Sequence, residues 1–205
     1  MVGTSKQLAK EDILLLLFLA FSSSKTQHKI AGITRVEKLM YLLQRETVFS
    51  GKLQEKFDFK AWKFGPFSKQ IYEALDFLPS LSLVDVEEKE LANYVDYMEG
   101  DELVETDQQD AVVEKVFSLT DRGVKVAEAL RKAISENDWA EVTGLASKFE
   151  RMPLTGLIQY VYHKYPETTT ASVLHHLKPH PICFGYALHE PSCTQHKPPV
   201  APAEG

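Results

Sequence analysis

Three short segments fix most of the element boundaries in this 205-residue chain. Residues 34–43 carry Thr34 and Glu37 at the spacing of a capping box, in which two side chains bond the first free N–H groups of a helix. Residues 63–68 hold a Gly-Pro pair, and proline suits the first turn of a helix, where its missing N–H costs nothing. Residues 117–123 run an apolar stretch into Leu-Thr-x-x-Gly. Together the segments predict an α-rich α+β domain of winged-helix-like architecture with a small β-hairpin wing.

Apolar spacing and turn residues predict the other elements. Residues 56–64 alternate, with Phe57 and Phe59 on one side and Trp62 on the other, as in a short strand or an extended arm. Apolar stretches at residues 83–86 and 112–117 predict the two strands of the wing. The remaining predictions are a helix from Gly65-Pro66 to Pro79, a third short segment at residues 94–97, a helix capped by Thr120, a helix over residues 138–150 and a last helix from Pro153 to Tyr165.

An apolar run at residues 13–21 allows three interpretations. Nine residues fall far short of the roughly 20 that cross a bilayer. The run could be the apolar part of a secretory signal, but Glu11 and Asp12 lie directly against it and no small-x-small cleavage site follows. We therefore predict a buried first helix over residues 5–21 and no contact with a membrane.

Composition narrows the function classes. Hydrophobic residues make up 44% of the chain, which predicts an ordinary buried core. The net charge of −6 argues against a general nucleic-acid binder, which usually carries a basic surplus. Both cysteines, Cys183 and Cys193, lie near the C-terminus, so no disulfide framework holds the core and we expect a cytoplasmic protein.

The C-terminal segment differs in character from the rest. Residues 178–205 contain six prolines and no apolar periodicity, which predicts a disordered tail after one folded domain at residues 1–177. Two pairs in this tail, His180 with Cys183 and Cys193 with His196, have the spacing of zinc ligands. Flanking prolines and the lack of apolar support argue against a zinc site. We expect no cofactor.

Charge is distributed unevenly along the chain. Between residues 25 and 69 there are ten lysines or arginines against four acids, whereas between residues 85 and 114 there are twelve acids against Lys89 alone. An acidic wing would be repelled by phosphate, and it suits a basic protein partner. The wing residues that we assign to partner binding are Glu99, Asp101, Glu102 and Glu105. The alternative for the acidic residues is a solvated loop that binds nothing. The basic residues between positions 25 and 69 could be scattered surface lysines, or they could form a face that binds an acidic partner or nucleic acid.

Residues 60–67 interleave charge, aromatic rings and a rigid turn. Aromatic side chains are enriched at the energetic centres of interfaces, so this segment is a candidate anchor. Phe64 is predicted to belong to the core, and Trp62 could belong either to the core or to the interface. The residues assigned to partner binding here are Lys60, Trp62, Lys63, Gly65 and Pro66.

Catalytic motifs are missing from the sequence. It has no Gly-rich phosphate loop, no His-Glu-x-x-His and no nucleophile elbow, so we expect a protein that is not an enzyme.

In this order and with these intervals, the three segments resemble the antitoxin-associated Panacea domain, also called SocA-like, and the related YwgA-like predicted regulators. That family shows an "lqKLlYll" helix, a "GPfs" helix start and a wing ending in "LTdkG", which correspond here to residues 36–43, 65–68 and 119–123. Residues 157–166 are similar to its closing helix. Some members are antitoxins that bind and neutralise a toxin protein, and others are predicted transcriptional regulators. The resemblance therefore implies a non-catalytic binding protein with a cognate toxin as partner, the alternative being a winged-helix DNA-binding regulator.

Overall fold

Helices dominate the computed structural model, which describes residues 7–21, 28–90 and 113–174. Short antiparallel strands accompany them, and the predicted α-rich α+β class is confirmed. The helices are α1 (Lys10–Ala20), α2 (Ile33–Glu46), α3 (Lys69–Ser80), α4 (Asp121–Ala133), α5 (Glu136–Phe149) and α6 (Leu154–Lys164), and the strands are β1 (Lys29–Ala31), β2 (Lys60–Trp62), β3 (Gly65–Phe67), β4 (Val84–Glu90) and β5 (Val113–Leu119).

The strands form two separate sheets. In the first, β5 lies between β1 and β4, and Phe117 of β5 is opposite Ile30 on one side and Val86 on the other. In the second, β2 pairs with β3, and Trp62 is opposite Gly65. The strands predicted from residues 83–86 and 112–117 are thus confirmed as β4 and β5, while the predicted segment at residues 94–97 lies outside the described residues.

Helix α1 lies at the centre of the core. Its seven consecutive apolar residues from position 13 to position 19 are all buried, and the helix packs against α3, α4, α5 and β5. Asp12 helps to start it by accepting a hydrogen bond from the Ala9 N–H at 3.0 Å. The predicted buried first helix is confirmed, although it begins at Lys10 and not at residue 5. No helix in the described ranges is both long enough and apolar enough to span a bilayer.

Helix α2 begins differently from the prediction. Gly32 is the residue before it, with a φ of +83°, and no side chain caps this end. The predicted capping box of Thr34 and Glu37 is therefore wrong. Every residue from position 36 to position 43 is buried, so the Glu37 side chain lies inside the protein and cannot reach back to the helix start. The predicted core residues Leu39 and Leu43 are confirmed.

Helix α3 also begins later than predicted. Gly65 and Pro66 belong to β3, and the helix starts at Lys69. Gly65 has a φ of +91°, which is not helical, and a Cβ there would lie 2.7 Å from Cε1 of Tyr162. Proline is accepted in β3 because, in the part of the chain that the structure describes, β3 pairs with β2 and with no second strand. At the other end the helix extends to Ser80, one residue beyond the predicted stop at Pro79.

The third sequence segment joins β5 to α4 as predicted. Thr120 caps the helix, and its Oγ1 accepts a hydrogen bond from the Gly123 N–H at 2.9 Å. Gly123 lies against the backbone of Leu83, so close that a Cβ would come within 1.9 Å of the Leu83 carbonyl oxygen. The last two helices are confirmed with shifted starts, since α5 begins after Ser135 and α6 after Pro153.

Candidate functional site

The predicted interface residues of the basic region all lie in one hairpin. Strands β2 and β3 pair in register, and Lys63 and Phe64 form the two-residue turn between them. We call residues 60–67 the 60–67 hairpin. Lys60, Trp62 and Lys63 are exposed, whereas Gly65 and Pro66 are buried. The hairpin therefore has an outer side that faces solvent and an inner side that is bound to the rest of the domain.

An aromatic row lies along the outer side. Trp62 is 52% exposed, and its ring centre lies 6.1 Å from that of Phe67. Phe67 in turn contacts Tyr72 of α3, at 5.4 Å between ring centres. Trp62 thus belongs to the surface, while Phe64 packs partly buried against the core as predicted. The row presents a large apolar ring next to charged side chains.

The lysines beside this row are weakly held. Lys60 pairs with Asp58 at 3.2 Å and Lys69 pairs with Glu73 at 3.0 Å, and all four side chains are more than half exposed. Among the described residues, none forms a salt bridge with Lys63. Such exposed pairs contribute little to stability, so these ammonium groups can exchange their partners for an incoming acidic group.

The inner side of the hairpin rests on two charged residues of α2. Lys38 is 1% exposed, and its Nζ donates a hydrogen bond to the Pro66 carbonyl at 2.9 Å. Glu37 is 3% exposed, and the nearby Ser68 backbone N–H lowers the pKa of its carboxyl group. The two side chains face each other with Oε2 and Nζ 3.7 Å apart. We call Glu37 and Lys38 the buried pair.

Burial controls the protonation of this pair. Loss of hydration raises the pKa of Glu37 to about 7, against the attraction of the Lys38 ammonium. The same loss of hydration lowers the pKa of Lys38 to about 8, and the Glu37 carboxylate works in the opposite direction. Both groups consequently titrate near neutral pH, although neither is open to solvent or to a substrate.

The turn of the hairpin is held from a second direction. The Lys63 carbonyl accepts hydrogen bonds from the Val173 N–H at 2.9 Å and from Ser172 Oγ at 3.2 Å. Ser172 Oγ also lies 2.6 Å from the Tyr162 hydroxyl, and the Tyr162 ring lies under Gly65. Contacts from α2 on one side and from residues 172–173 on the other fix the backbone that carries Trp62.

Sequence reasoning did not find the residues that hold the hairpin. Tyr162 and Ser172 carry no local signal of that role. Lys38 does carry one, since it and Glu37 are the only charged residues in the otherwise apolar stretch from position 36 to position 43. A charged residue at such a position is normally buried with a partner.

The acidic residues of the predicted interface fall in a range that the structure does not describe. Glu99, Asp101, Glu102 and Glu105 are outside the described residues. The strand that leads towards them, β4, exposes Asp85, Glu87 and Glu88. The acidic character of the region therefore begins within the part of the chain that the structure covers.

Metal binding receives no support from the described residues, which contain no group of three or more histidines, cysteines and acids placed to hold an ion. The residues considered for zinc, His180, Cys183, Cys193 and His196, all lie outside the described residues.

Compared with known family models, with curated proteins and with solved structures, the chain matches none.

Proposed function

We propose that this protein is a non-catalytic binding protein of the antitoxin kind, which acts in the cytoplasm by protein–protein contact through the 60–67 hairpin. The observation that carries the proposal is Trp62, 52% exposed on a hairpin whose backbone is fixed from two sides. A rigid aromatic anchor loses little conformational freedom on binding, and tryptophan is enriched among the residues that dominate interface energies. The neighbouring lysines would add electrostatic selectivity.

A winged-helix architecture is part of this proposal. Such a domain has three helices and a three-stranded antiparallel sheet whose last two strands form the wing. The chain order α1, β1, α2, α3, β4, β5 and the sheet order β1-β5-β4 support it. The 60–67 hairpin is then an insertion between the second and third helices.

The charge of α3 favours a protein partner over DNA. In a DNA-binding winged helix, the third helix enters the groove and needs cations to meet phosphate. The exposed residues of α3 include Glu73 and Asp76, and its lysine, Lys69, is already paired with Glu73. Together with the acidic strand β4, this helix would repel a phosphate backbone.

Trp62→Ala tests the proposed interface. The partner to use is the protein encoded by the adjacent gene, coexpressed with this chain and assayed for growth rescue and for affinity. We expect the dissociation constant to rise about 30-fold or more, because a central aromatic anchor is worth roughly 2 kcal/mol or more. The melting temperature should hardly change, since the Trp62 side chain is half exposed.

Phe77→Ala is the matched control for this experiment. Phe77 is 50% exposed on α3, so the substitution removes a similar exposed ring away from the hairpin. It should leave rescue and affinity as they are in the parent. Parent-like binding by Trp62→Ala, or an equal loss in both variants, would rule out the hairpin as the interface.

Charge reversal of the acidic wing separates protein binding from DNA binding. With Glu99, Asp101, Glu102 and Glu105 changed to lysine, a basic protein partner should associate more slowly. The difference should fade at high salt, because charges more than about 10 Å apart are screened at 0.1 M. Duplex DNA should instead bind the variant more tightly, with a steeper dependence on salt. Specific DNA binding by the parent that tightens in the variant would overturn the antitoxin proposal.

A further inference from the structure

We propose that Glu37 and Lys38 are positioning residues, which hold the 60–67 hairpin against α2 and thereby set where the Trp62 side chain stands. That a partner recognises Trp62 in this position rests on the proposed function. That Glu37 and Lys38 hold the hairpin does not rest on it, because the attachment of the hairpin to α2 can be measured on the protein alone.

The geometry joins two neighbouring residues of α2 to one strand of the hairpin. Lys38 Nζ donates a hydrogen bond to the carbonyl of Pro66 in the middle of β3, and the Glu37 carboxylate faces that ammonium inside the protein. The ammonium is 2.9 Å from the Pro66 oxygen and 3.7 Å from the Glu37 carboxylate. The contact of Lys38 with the hairpin is therefore closer than its contact with Glu37.

Stability alone does not account for the presence of this pair. Both side chains are almost completely buried, and among the described residues Glu37 Oε1 and Ser68 Oγ have no hydrogen-bond partner. Two apolar side chains of similar size would avoid the loss of hydration and are often neutral or stabilising in such places. What apolar side chains could not supply is the directed hydrogen bond from the Lys38 ammonium to β3.

Proton linkage gives this arrangement a measurable signature. If the hairpin lifts from α2, Glu37 gains water and its pKa returns towards 4.5 from about 7. Glu37 therefore holds its proton more tightly when the hairpin is packed against α2 than when the hairpin has moved away. Low pH consequently favours the packed hairpin, and this preference weakens as the pH rises from 4.5 to 7. Lys38 stays protonated through this range, since the pKa of its side chain is about 8.

Other titrating groups near the pair do not produce the same pH dependence of hairpin packing. Tyr72 of α3 and Tyr162 of α6 face the pair, and burial raises the pKa of Tyr72 to about 12 and shifts that of Tyr162 upward as well. Both stay neutral below pH 9. A variant that changes only Glu37 separates the effect of this carboxyl group from that of every other titrating group.

Amide hydrogen exchange of the 60–67 hairpin tests the proposal. Protection is measured at pH 5.5 and pH 7 and corrected for intrinsic exchange, with the amides of α1 as the reference for global opening. The parent should lose about tenfold in hairpin protection between these pH values. Glu37→Gln should show no such loss. Glu73→Gln removes an exposed carboxylate next to the hairpin and should keep the parent's tenfold change.

Two results would overturn the proposal: a parent whose hairpin protection does not change with pH, or a Glu37→Gln variant that keeps the change. If the single variant does not fold, Glu37→Gln combined with Lys38→Met gives the same readout, because it removes both charges together. A protein in which Trp62→Ala leaves partner binding intact can still show the pH signature. The two proposals therefore fail independently.

Discussion

Gly123→Ala should destabilise this protein by about 3 kcal/mol or more, which is the upper part of the range for overpacking. The new Cβ would lie 1.9 Å from the carbonyl oxygen of Leu83 and 2.9 Å from its carbonyl carbon. These are backbone atoms, so no side-chain rotation can make room. The same Leu83 carbonyl accepts a hydrogen bond from the Thr120 N–H at 3.1 Å. Relief of the clash would therefore disturb the cap of α4 as well.

Gly144→Ala is the matched control, because it places the same methyl group in another helix. Nothing lies within 4 Å of a Cβ at this position of α5. Alanine should there stabilise the helix by about 0.5–1 kcal/mol, since glycine loses more backbone freedom on folding. Urea unfolding followed by circular dichroism gives both values. A mild effect of Gly123→Ala would mean that α4 does not approach the backbone of Leu83 as closely as the structure has it.

Lys38→Met should cost about 3–5 kcal/mol at pH 8, the effect of leaving a buried charge without its partner. The Glu37 carboxylate would lose its ammonium and the Pro66 carbonyl its donor. Adding Glu37→Gln should recover much of the loss, because the double variant buries no charge. The comparison is a double-mutant cycle measured by denaturant unfolding.

The pH dependence of this loss has a definite sign. Glu37 has a folded pKa above its unfolded value, at about 7 against 4.5, so its ionisation makes the fold less stable as the pH rises through that interval. At pH 5 the Glu37 carboxyl of the Lys38→Met variant is neutral, and the cost should be clearly smaller than at pH 8. An equal cost at both pH values, or no recovery in the double variant, would contradict the account of the buried pair.

Sequence reasoning succeeds in this protein where one local signal determines the outcome. The apolar run of α1 is too hydrophobic to stay at a surface, and it is buried. Thr120 stands before a helical pattern with no competing cap, and it caps α4. The strands β4 and β5 follow from the apolar stretches at residues 83–86 and 112–117, and they pair over their full length.

It fails where two local signals compete and the tertiary contacts decide. Glu37 has the spacing of a capping residue, yet packing around α2 draws it inside with Lys38. Pro66 is as acceptable in a strand that pairs on one side as in the first turn of a helix, and the Tyr162 ring under Gly65 favours the strand. The surface position of Trp62 likewise depends on contacts that no local pattern contains.

The placement of α1 has a consequence for the newly made chain. The helices that cover its apolar residues include α4 and α5, which are synthesised roughly a hundred residues later. Until the ribosome has passed Phe149, the leucine-rich segment lacks two of the helices that bury it. An exposed segment of this kind is prone to aggregation and is what chaperones recognise. Cellular levels of the folded protein should therefore depend on chaperone capacity during synthesis.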